Sequence, residues 1–72
     1  MFIKVYVFRE FTKEYIEAYI KHSSIKYVSA SGLDNYPSLI EDNDKKLFYS
    51  NLSPHNFIEE LELLYEKIRI TL

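Results

Sequence analysis

Residues 36–64 constrain this chain most, because a hairpin signal is followed there directly by a capped helix. Residues 38–41 (SLIE) and 46–50 (KLFYS) are rich in strand-favouring side chains, and Asp42-Asn43-Asp44 between them is a polar cluster. Asp and Asn suit a tight turn because they tolerate left-handed backbone and hydrogen-bond their own main chain. The pattern predicts a β-hairpin that reverses at residues 42–44.

A helix is predicted to begin directly after this hairpin. Ser53 is a good N-cap, and Pro54 falls at the first helical position, where a missing N–H costs nothing. Leu52 and Phe57 occupy the positions of a hydrophobic staple. One apolar stripe then follows the helical period: Phe57, Leu61, Leu64 and Ile68. The acidic residues between them are expected to form a solvated outer face: Glu59, Glu60, Glu62 and Glu66.

Bulk composition narrows the class of protein. Seventy-two residues, 47% of them hydrophobic, predict a single folded domain over 1–72. The absence of cysteine excludes disulfide scaffolds, thiolate zinc sites and thiol catalysis. Lys4 and Arg9 interrupt the first apolar run, so neither a membrane span nor a signal peptide is expected, and a cytoplasmic location is predicted. The net charge is −2, and positive and negative side chains are interspersed along the chain. A nucleic-acid partner is therefore not expected.

The first half of the chain suggests a strand, a helix and a second strand. Residues 1–8 alternate, with apolar groups on both faces, which is typical of a central strand. Thr12 is a candidate N-cap for a helix that ends at Ser23-Ser24. Its apolar stripe would contain Tyr15, Ile16, Tyr19 and Ile20. Residues 25–30 are predicted to form the second strand, and residues 32–36 a short connection to the hairpin.

The predicted order, β-α-β-β-β-α, resembles the thioredoxin-like fold, and the hairpin–helix portion resembles glutaredoxins. Residues 36–40 (YPSLI) resemble that family's cis-proline segment, and residues 42–48 its acidic hairpin turn. Residues 53–64 resemble its last helix and residues 3–6 its first strand. The resemblance implies an α/β (α+β) fold: a four-stranded mixed sheet with two helices on one face.

Thiol–disulfide chemistry cannot accompany this resemblance, since residues 11–14 read FTKE where the redox cysteines would stand. A residual groove for a thiol peptide such as glutathione is the function that the resemblance still allows. Its lining would come from Arg9, Thr12, Tyr36 and Pro37.

A ferredoxin-like β-α-β-β-α-β fold is the alternative architecture, with residues 68–72 as a fourth strand. Ile68, Ile70 and Leu72 alternate as a strand requires, although the helical stripe also claims Ile68. The two folds differ at residues 38–41, a strand in the first and part of a long loop in the second. Long structureless loops are uncommon in so small a domain, which favours the hairpin.

No set of residues in the sequence predicts catalysis or metal binding, so no enzyme activity and no cofactor are expected. His22 and His55 lack ligand spacing and are expected to be solvated surface residues. Residues 41–44 superficially resemble a calcium loop but lack the following Gly and the distant Glu that such loops require. A hairpin turn explains them better.

The function predicted from the residues is protein binding through an aromatic sheet face. If both helices cover one face of the sheet, aromatic residues of the other face have no cover: Phe2, Tyr6 and Phe8, with Tyr27 or Val28, and with Phe48 or the Leu47/Tyr49 pair, beside them. The alternative is that residues 32–36 and the chain ends fold over this face. Exposed apolar surface of this size marks an interface, and Tyr and Phe are residues that interfaces favour. The sequence therefore predicts a non-catalytic interaction module or inhibitor that binds another protein or a second copy of itself. The heavy use of Ile, Lys, Tyr and Asn is typical of AT-rich genomes, such as those of low-GC bacteria and their phages.

Overall fold

The computed structural model describes residues 1–71, with the side chains of residues 1–66. The described residues form five strands and one long helix. In chain order these are β1 (Phe2–Arg9), β2 (Glu14–Lys21), β3 (Ile25–Ala30), β4 (Ser38–Asp42), β5 (Leu47–Ser50) and α1 (Pro54–Thr71). A single 3₁₀ turn, His22–Ser24, joins β2 to β3.

All five strands belong to one antiparallel sheet with the order β2-β1-β5-β4-β3. β1 lies between β2 and β5, so the interior position expected from its apolar residues on both faces is confirmed. Strands also form at Ile25–Ala30 and at Ser38–Asp42, as the sequence predicts.

The thioredoxin-like prediction is wrong, because the segment predicted as its first helix is the strand β2. β2 pairs with β1 along its whole length, from Phe2 opposite Lys21 to Arg9 opposite Glu14. No parallel pairing and no second α-helix occur among the described residues. The physical reason lies in Tyr15, Ile16, Tyr19 and Ile20, whose spacing fits one side of a helix but whose aromatic and β-branched side chains favour a strand.

The ferredoxin-like alternative is also wrong. Ser38–Asp42 is a strand, and α1 continues to Thr71, so residues 68–71 are helical. Leu72, the last residue of the proposed fourth strand, lies outside the described residues.

The hairpin between β4 and β5 is confirmed, and Asp42 organises its turn. One carboxylate oxygen of Asp42 accepts hydrogen bonds from the backbone N–H groups of Asp44 and Lys46, both at 2.9 Å. The Asp42 backbone closes the turn as well, since its N–H donates to Lys46 O and its carbonyl accepts from Lys45 N. Lys45 adopts a left-handed conformation with φ 64°.

The start of α1 is also confirmed. The Ser53 carbonyl accepts the Phe57 N–H at 2.8 Å, and the Ser53 hydroxyl accepts the Asn56 N–H at 3.2 Å. Leu52 packs in the same apolar cluster as Phe57, as a staple requires. The four acidic residues of the helix are exposed, as predicted.

The sheet is strongly curled, because its two edge strands are joined by only three residues. In a flat sheet, β2 and β3 would lie about 19 Å apart, four steps of ~4.8 Å. The His22–Ser24 turn rises only ~2 Å per residue, so it cannot bridge that distance. The sheet therefore bends until the end of β2 approaches the start of β3, and α1 packs against β3 and β4 on the concave side.

The hydrophobic core lies between the concave face and α1. Val5, Ile40 and Phe57 are fully buried, and Phe48 is nearly so. The residues packed around this centre are half-buried: Ile3, Val7, Ala18, Ile20, Ile25, Val28, Leu52 and Leu61. This core determines, through strand alternation, which side chains point to the convex face.

A candidate protein-binding face

The convex face of the sheet carries most of the aromatic side chains of the chain. Residues adjacent to core positions point to this side, and the strand register aligns them: Phe8 opposite Tyr15, and Tyr6 opposite Tyr49. Together with a ring from the 31–37 loop they form what we term the tyrosine face: Tyr6, Phe8, Tyr15, Tyr19, Tyr27, Tyr36, Leu47 and Tyr49. It contains six of the seven tyrosines of the chain.

Tyr15 is the centre of the ring contacts on this face. Its ring stacks on Tyr36 with centroids 4.0 Å apart and meets Tyr49 edge to face at 5.4 Å. Phe8 lies tilted against it at 4.9 Å. Tyr36 also contacts Tyr6 at 5.1 Å in an edge arrangement. Stacked and edge-to-face pairs each contribute about 0.5–1.5 kcal/mol beyond the area that they bury, so the centre of the face is held by several such contacts.

Ser31 holds the 31–37 loop in the shape that brings Tyr36 onto this face. Its backbone N–H donates to Pro37 O at 2.9 Å. Its hydroxyl donates to Tyr36 O and accepts the N–H of Leu33. Gly32 has φ 82°, a left-handed conformation that glycine adopts without strain. The loop thus closes on itself and directs the Tyr36 ring towards β1 and β2.

Exposure differs between the centre of the tyrosine face and its margins. The rings of the central cluster are half-buried by one another. At the margins, Tyr19 is 61% exposed, Tyr27 60% and Leu47 51%. The accessible part of the face therefore lies on both sides of a cluster that packs against itself.

The charges around this face are of both signs. Lys4 Nζ lies 3.7 Å from Glu17 Oε1 and 5.8 Å from the Tyr6 ring centroid. Proximity to Tyr6 and then to Glu17 raises the pKa of Lys4 above its ordinary value. Lys26 Nζ lies 5.3 Å from the ring centroid of Tyr27. The ammonium groups are thus held over tyrosine rings and beside a carboxylate, and they do not form a basic groove.

The residues predicted for the interface separate into two groups. Tyr6, Phe8 and Tyr27 lie on the tyrosine face. Phe2 is 61% exposed and lines a depression together with residues 50–52 and with Glu60 and Leu64 of α1. Phe48 is a correction, since it is 9% exposed and belongs to the core. It faces Ile40 across the hairpin, and α1 covers that side of the sheet. The neighbours of Phe48 in β5, Leu47 and Tyr49, take the convex side.

Sequence reasoning missed the β2 residues of the face, because they were assigned to a helix. The usable signal was alternation: Tyr15, Glu17 and Tyr19 point one way, while Ile16, Ala18 and Ile20 point the other. The centre of the face, Tyr15, was therefore absent from the predicted site.

The residues of the predicted thiol-peptide groove belong to three different segments of the chain. Arg9 ends β1, Thr12 is exposed in the turn after it, and Pro37 precedes β4 with a trans peptide bond. A shallow depression of about 390 Å³ lies beside Tyr36. It is lined by Tyr15 and residues 33–36, and by none of the other three groove residues.

The two histidines differ, and the surface position predicted for His22 is wrong. His22 is buried; its backbone N–H and its Nδ1–H both donate to the carbonyl of Met1, each at 3.0 Å. The Tyr65 ring meets the imidazole at 5.0 Å. His22 thus ties the β2–β3 turn to the start of β1. His55 is exposed and pairs with Glu59 at 3.0 Å when protonated.

Within the part of the chain that the structure describes, no group of three His, Asp or Glu side chains is placed to hold a metal ion. Over the same residues, no helix combines the length and apolar character needed to cross a bilayer. The chain matches no protein-family model. No curated protein and no solved structure matches it either.

Proposed function

We propose that this chain is a non-catalytic protein-binding module that contacts, and thereby masks, a surface of another protein with its tyrosine face. The observation that carries the proposal is the gathering of six of the seven tyrosines on the sheet face opposite the α1-covered core. A chain that needed tyrosine only for packing would not concentrate it on the uncovered side of its sheet.

The chemistry of tyrosine supports a protein as the partner. A Tyr side chain presents a large, rigid, amphipathic surface and loses little conformational entropy when it is immobilised. Protein interfaces are enriched in such residues. Tyr27 and Leu47 lie at one end of the face, joined through Glu41 of β4, which pairs with both. Both side chains are more than half exposed, so they are the contacts that a partner reaches first.

The charge pattern argues against a polyanionic partner. Affinity for nucleic acids depends on Lys and Arg that neutralise phosphates, and single-strand binders place aromatic rings inside a basic groove. Here Lys4 is engaged with Glu17, and the net charge is −2. The mixed, nearly balanced rim fits the rim of a protein interface instead.

The test compares exposed positions on and off the face. Proteins that the tagged chain retains from a lysate of its own cells are identified, purified and measured individually for affinity. Tyr27→Ser combined with Leu47→Ser is expected to weaken binding at least about tenfold, the usual effect of removing an interface hot spot. Phe11→Ser removes a fully exposed aromatic residue at the tip of the β1–β2 turn, and it is expected to change affinity less than about twofold.

Three results would overturn the proposal. One is unchanged affinity in the double variant with its circular dichroism spectrum preserved. Another is loss of binding through Phe11→Ser, which would place the site at the turn. The third is saturable binding of single-stranded oligonucleotides that Tyr27→Ser abolishes, which would make nucleic acid the ligand. The thiol-peptide alternative depended on the thioredoxin-like fold and has no support from the arrangement of its residues.

A further inference from the structure

We propose that β2 pairs edge to edge with β2 of a second copy, antiparallel about a two-fold axis at Ala18. The two five-stranded sheets then form one continuous sheet. This inference depends on the backbone and the sequence of β2, and it does not require that the tyrosine face bind another protein.

The two edges of the sheet are protected very differently. β3 has six residues, carries a register irregularity between Ile25 and Tyr27, and has α1 packed against it. Bulges, short length and a covering helix are devices that prevent an edge from pairing with another strand. β2 has eight residues, contains neither Pro nor Gly, and follows β1 in unbroken register. β2 is therefore the edge that the fold leaves suited to pairing.

Hydrogen bonding at one end of the strand determines which β2 groups point outward. The β1–β2 register places Met1 opposite His22, and the His22 N–H donates to Met1 O at 3.0 Å. Antiparallel pairs alternate between hydrogen-bonded and non-hydrogen-bonded, so every second β2 residue directs its N–H and C=O away from β1. These residues are Tyr15, Glu17, Tyr19 and Lys21.

The side chains select one symmetric register for self-pairing. An axis at Ala18 places Tyr15 opposite Lys21 of the second copy and Glu17 opposite its Tyr19. All four outward-facing residues are then paired, and no like charges are opposed. The Lys21 carbonyl would accept its new hydrogen bond beside the one that it already accepts from the Ser24 hydroxyl at 2.7 Å. An axis at Glu17 would oppose two glutamates directly and bring Lys13 opposite Lys21, which is destabilising. An axis at Tyr19 would pair only residues 17–21 and leave the Tyr15 groups unpaired.

The same register suits both faces of the joined sheet. On the concave side, half-buried Ile16 meets Ile20 of the second copy, and Ala18 meets Ala18. On the convex side, Lys21 reaches the ring of Tyr15, a favourable cation–π arrangement. Pairing would also place the two tyrosine faces side by side across the axis.

The solution mass is the first measurement, by light scattering over micromolar to millimolar concentrations. We expect a concentration-dependent rise from 8.7 kDa to twice that value. A mass that stays at 8.7 kDa up to millimolar concentration would overturn the inference.

Two substitutions at one position test the strand edge. Tyr19→Pro removes an N–H that points away from β1, which an edge strand tolerates. It should raise the dimer Kd at least about tenfold, since each lost hydrogen bond leaves a buried carbonyl oxygen without a donor. Tyr19→Thr removes the same ring but keeps the N–H and the strand propensity, so it should remain dimeric. Equal effects of the two variants, with folding confirmed by circular dichroism, would contradict pairing through the backbone.

A single introduced cysteine tests the register, since the chain has none of its own. With the axis at Ala18, the two residue-18 positions form a non-hydrogen-bonded pair with Cα atoms about 4.5 Å apart, within disulfide range. Ala18→Cys should therefore give a covalent dimer under mild oxidation. Glu17→Cys should give far less, because its two copies lie diagonally, at roughly 7–8 Å. Preferential cross-linking of Glu17→Cys would overturn the register.

The tyrosine-face double variant, Tyr27→Ser with Leu47→Ser, separates this inference from the proposed function. Neither residue lies in β2, so the variant should dimerise as the wild type does. A dimer abolished by this variant and retained by Tyr19→Pro would place self-association on the tyrosine face and overturn the edge pairing.

Discussion

Tyr15 and Tyr36 lie ring on ring, with centroids 4.0 Å apart and planes inclined by only 17°. One ring comes from β2 and the other from the 31–37 loop, so the contact fastens that loop to the convex face. It also covers the middle of the tyrosine face, and Tyr27 and Leu47 are therefore left as the accessible contacts at one end. The stacked pair thus helps to determine which residues of the tyrosine face remain exposed.

Removal of the Tyr36 ring should destabilise the fold. Tyr36→Ala loses a stacked contact to Tyr15 and an edge contact to Tyr6, so we expect the free energy of unfolding to fall by about 1–2 kcal/mol. Urea denaturation followed by circular dichroism measures this change. Tyr27→Ala removes an equally large but exposed ring and should change stability by less than about 0.5 kcal/mol. Equal losses in the two variants would show that the stack contributes nothing.

Asp42→Ala should destabilise the β4–β5 hairpin by about 1–3 kcal/mol. The substitution leaves the N–H groups of Asp44 and Lys46 without the carboxylate that accepts both of them. Asp44→Ala removes a carboxylate of the same turn that is exposed, and it should be nearly neutral. Chemical denaturation of both variants provides the comparison. A neutral Asp42→Ala would mean that the turn forms without its side-chain bonds.

The stability of the core should be most sensitive to substitution of Phe57. This side chain is fully buried between α1 and the sheet. Phe57→Ala should cost about 3–5 kcal/mol, which is comparable with the whole stability of a domain of this size. We therefore expect it to be unfolded at room temperature. Phe57→Leu should remain folded with a lowered melting temperature.

Leu63→Ala is the matched control for Phe57, since Leu63 lies on the same helix but is 52% exposed. It should change stability by less than about 0.5 kcal/mol. A folded Phe57→Ala with near-native stability would contradict the assignment of Phe57 to the core.

Lys45→Gly should stabilise the protein. Lys45 has φ 64°, a conformation that costs an L-residue about 1–2 kcal/mol and glycine very little. Part of this gain is offset by the greater freedom of glycine in the unfolded chain, so the net increase should be about 0.5–1 kcal/mol. Lys46→Gly is the control, because its φ is not positive and only the entropic cost remains. A destabilising Lys45→Gly together with a neutral Lys46→Gly would contradict the expectation.

The elements that sequence reasoning predicted correctly are those whose signals are local. Asp42 makes its hydrogen bonds to residues two and four positions further along the chain, and Ser53 caps N–H groups three and four positions away. Turns and caps whose hydrogen bonds span only two to four residues can be predicted from a few neighbouring residues in the sequence. The strand from Phe2 to Phe8 was equally readable, because its alternation contradicts a helical period.

Residues 14–21 were mispredicted because two periods fit the same residues. Tyr15, Ile16, Tyr19 and Ile20 form a helical stripe, but Ile16, Ala18 and Ile20 also form one side of a strand. The choice is made by β1, which supplies a partner along the full length of the segment. Without this helix the thioredoxin-like order is lost, and the resemblance no longer supports a groove at Arg9, Thr12, Tyr36 and Pro37.

Local sequence patterns were therefore enough to predict the β4–β5 hairpin and the start of α1, and the composition alone shows the abundance of tyrosine. Contacts between distant segments determine that residues 14–21 form a strand, that Phe48 belongs to the core while Tyr49 does not, and that Tyr15 is the centre of the tyrosine face. The two kinds of feature differ in how far apart along the chain the interacting groups lie. Caps and turns are satisfied within four residues, whereas the state of β2 and the face that α1 covers depend on pairing and burial between segments distant in the chain.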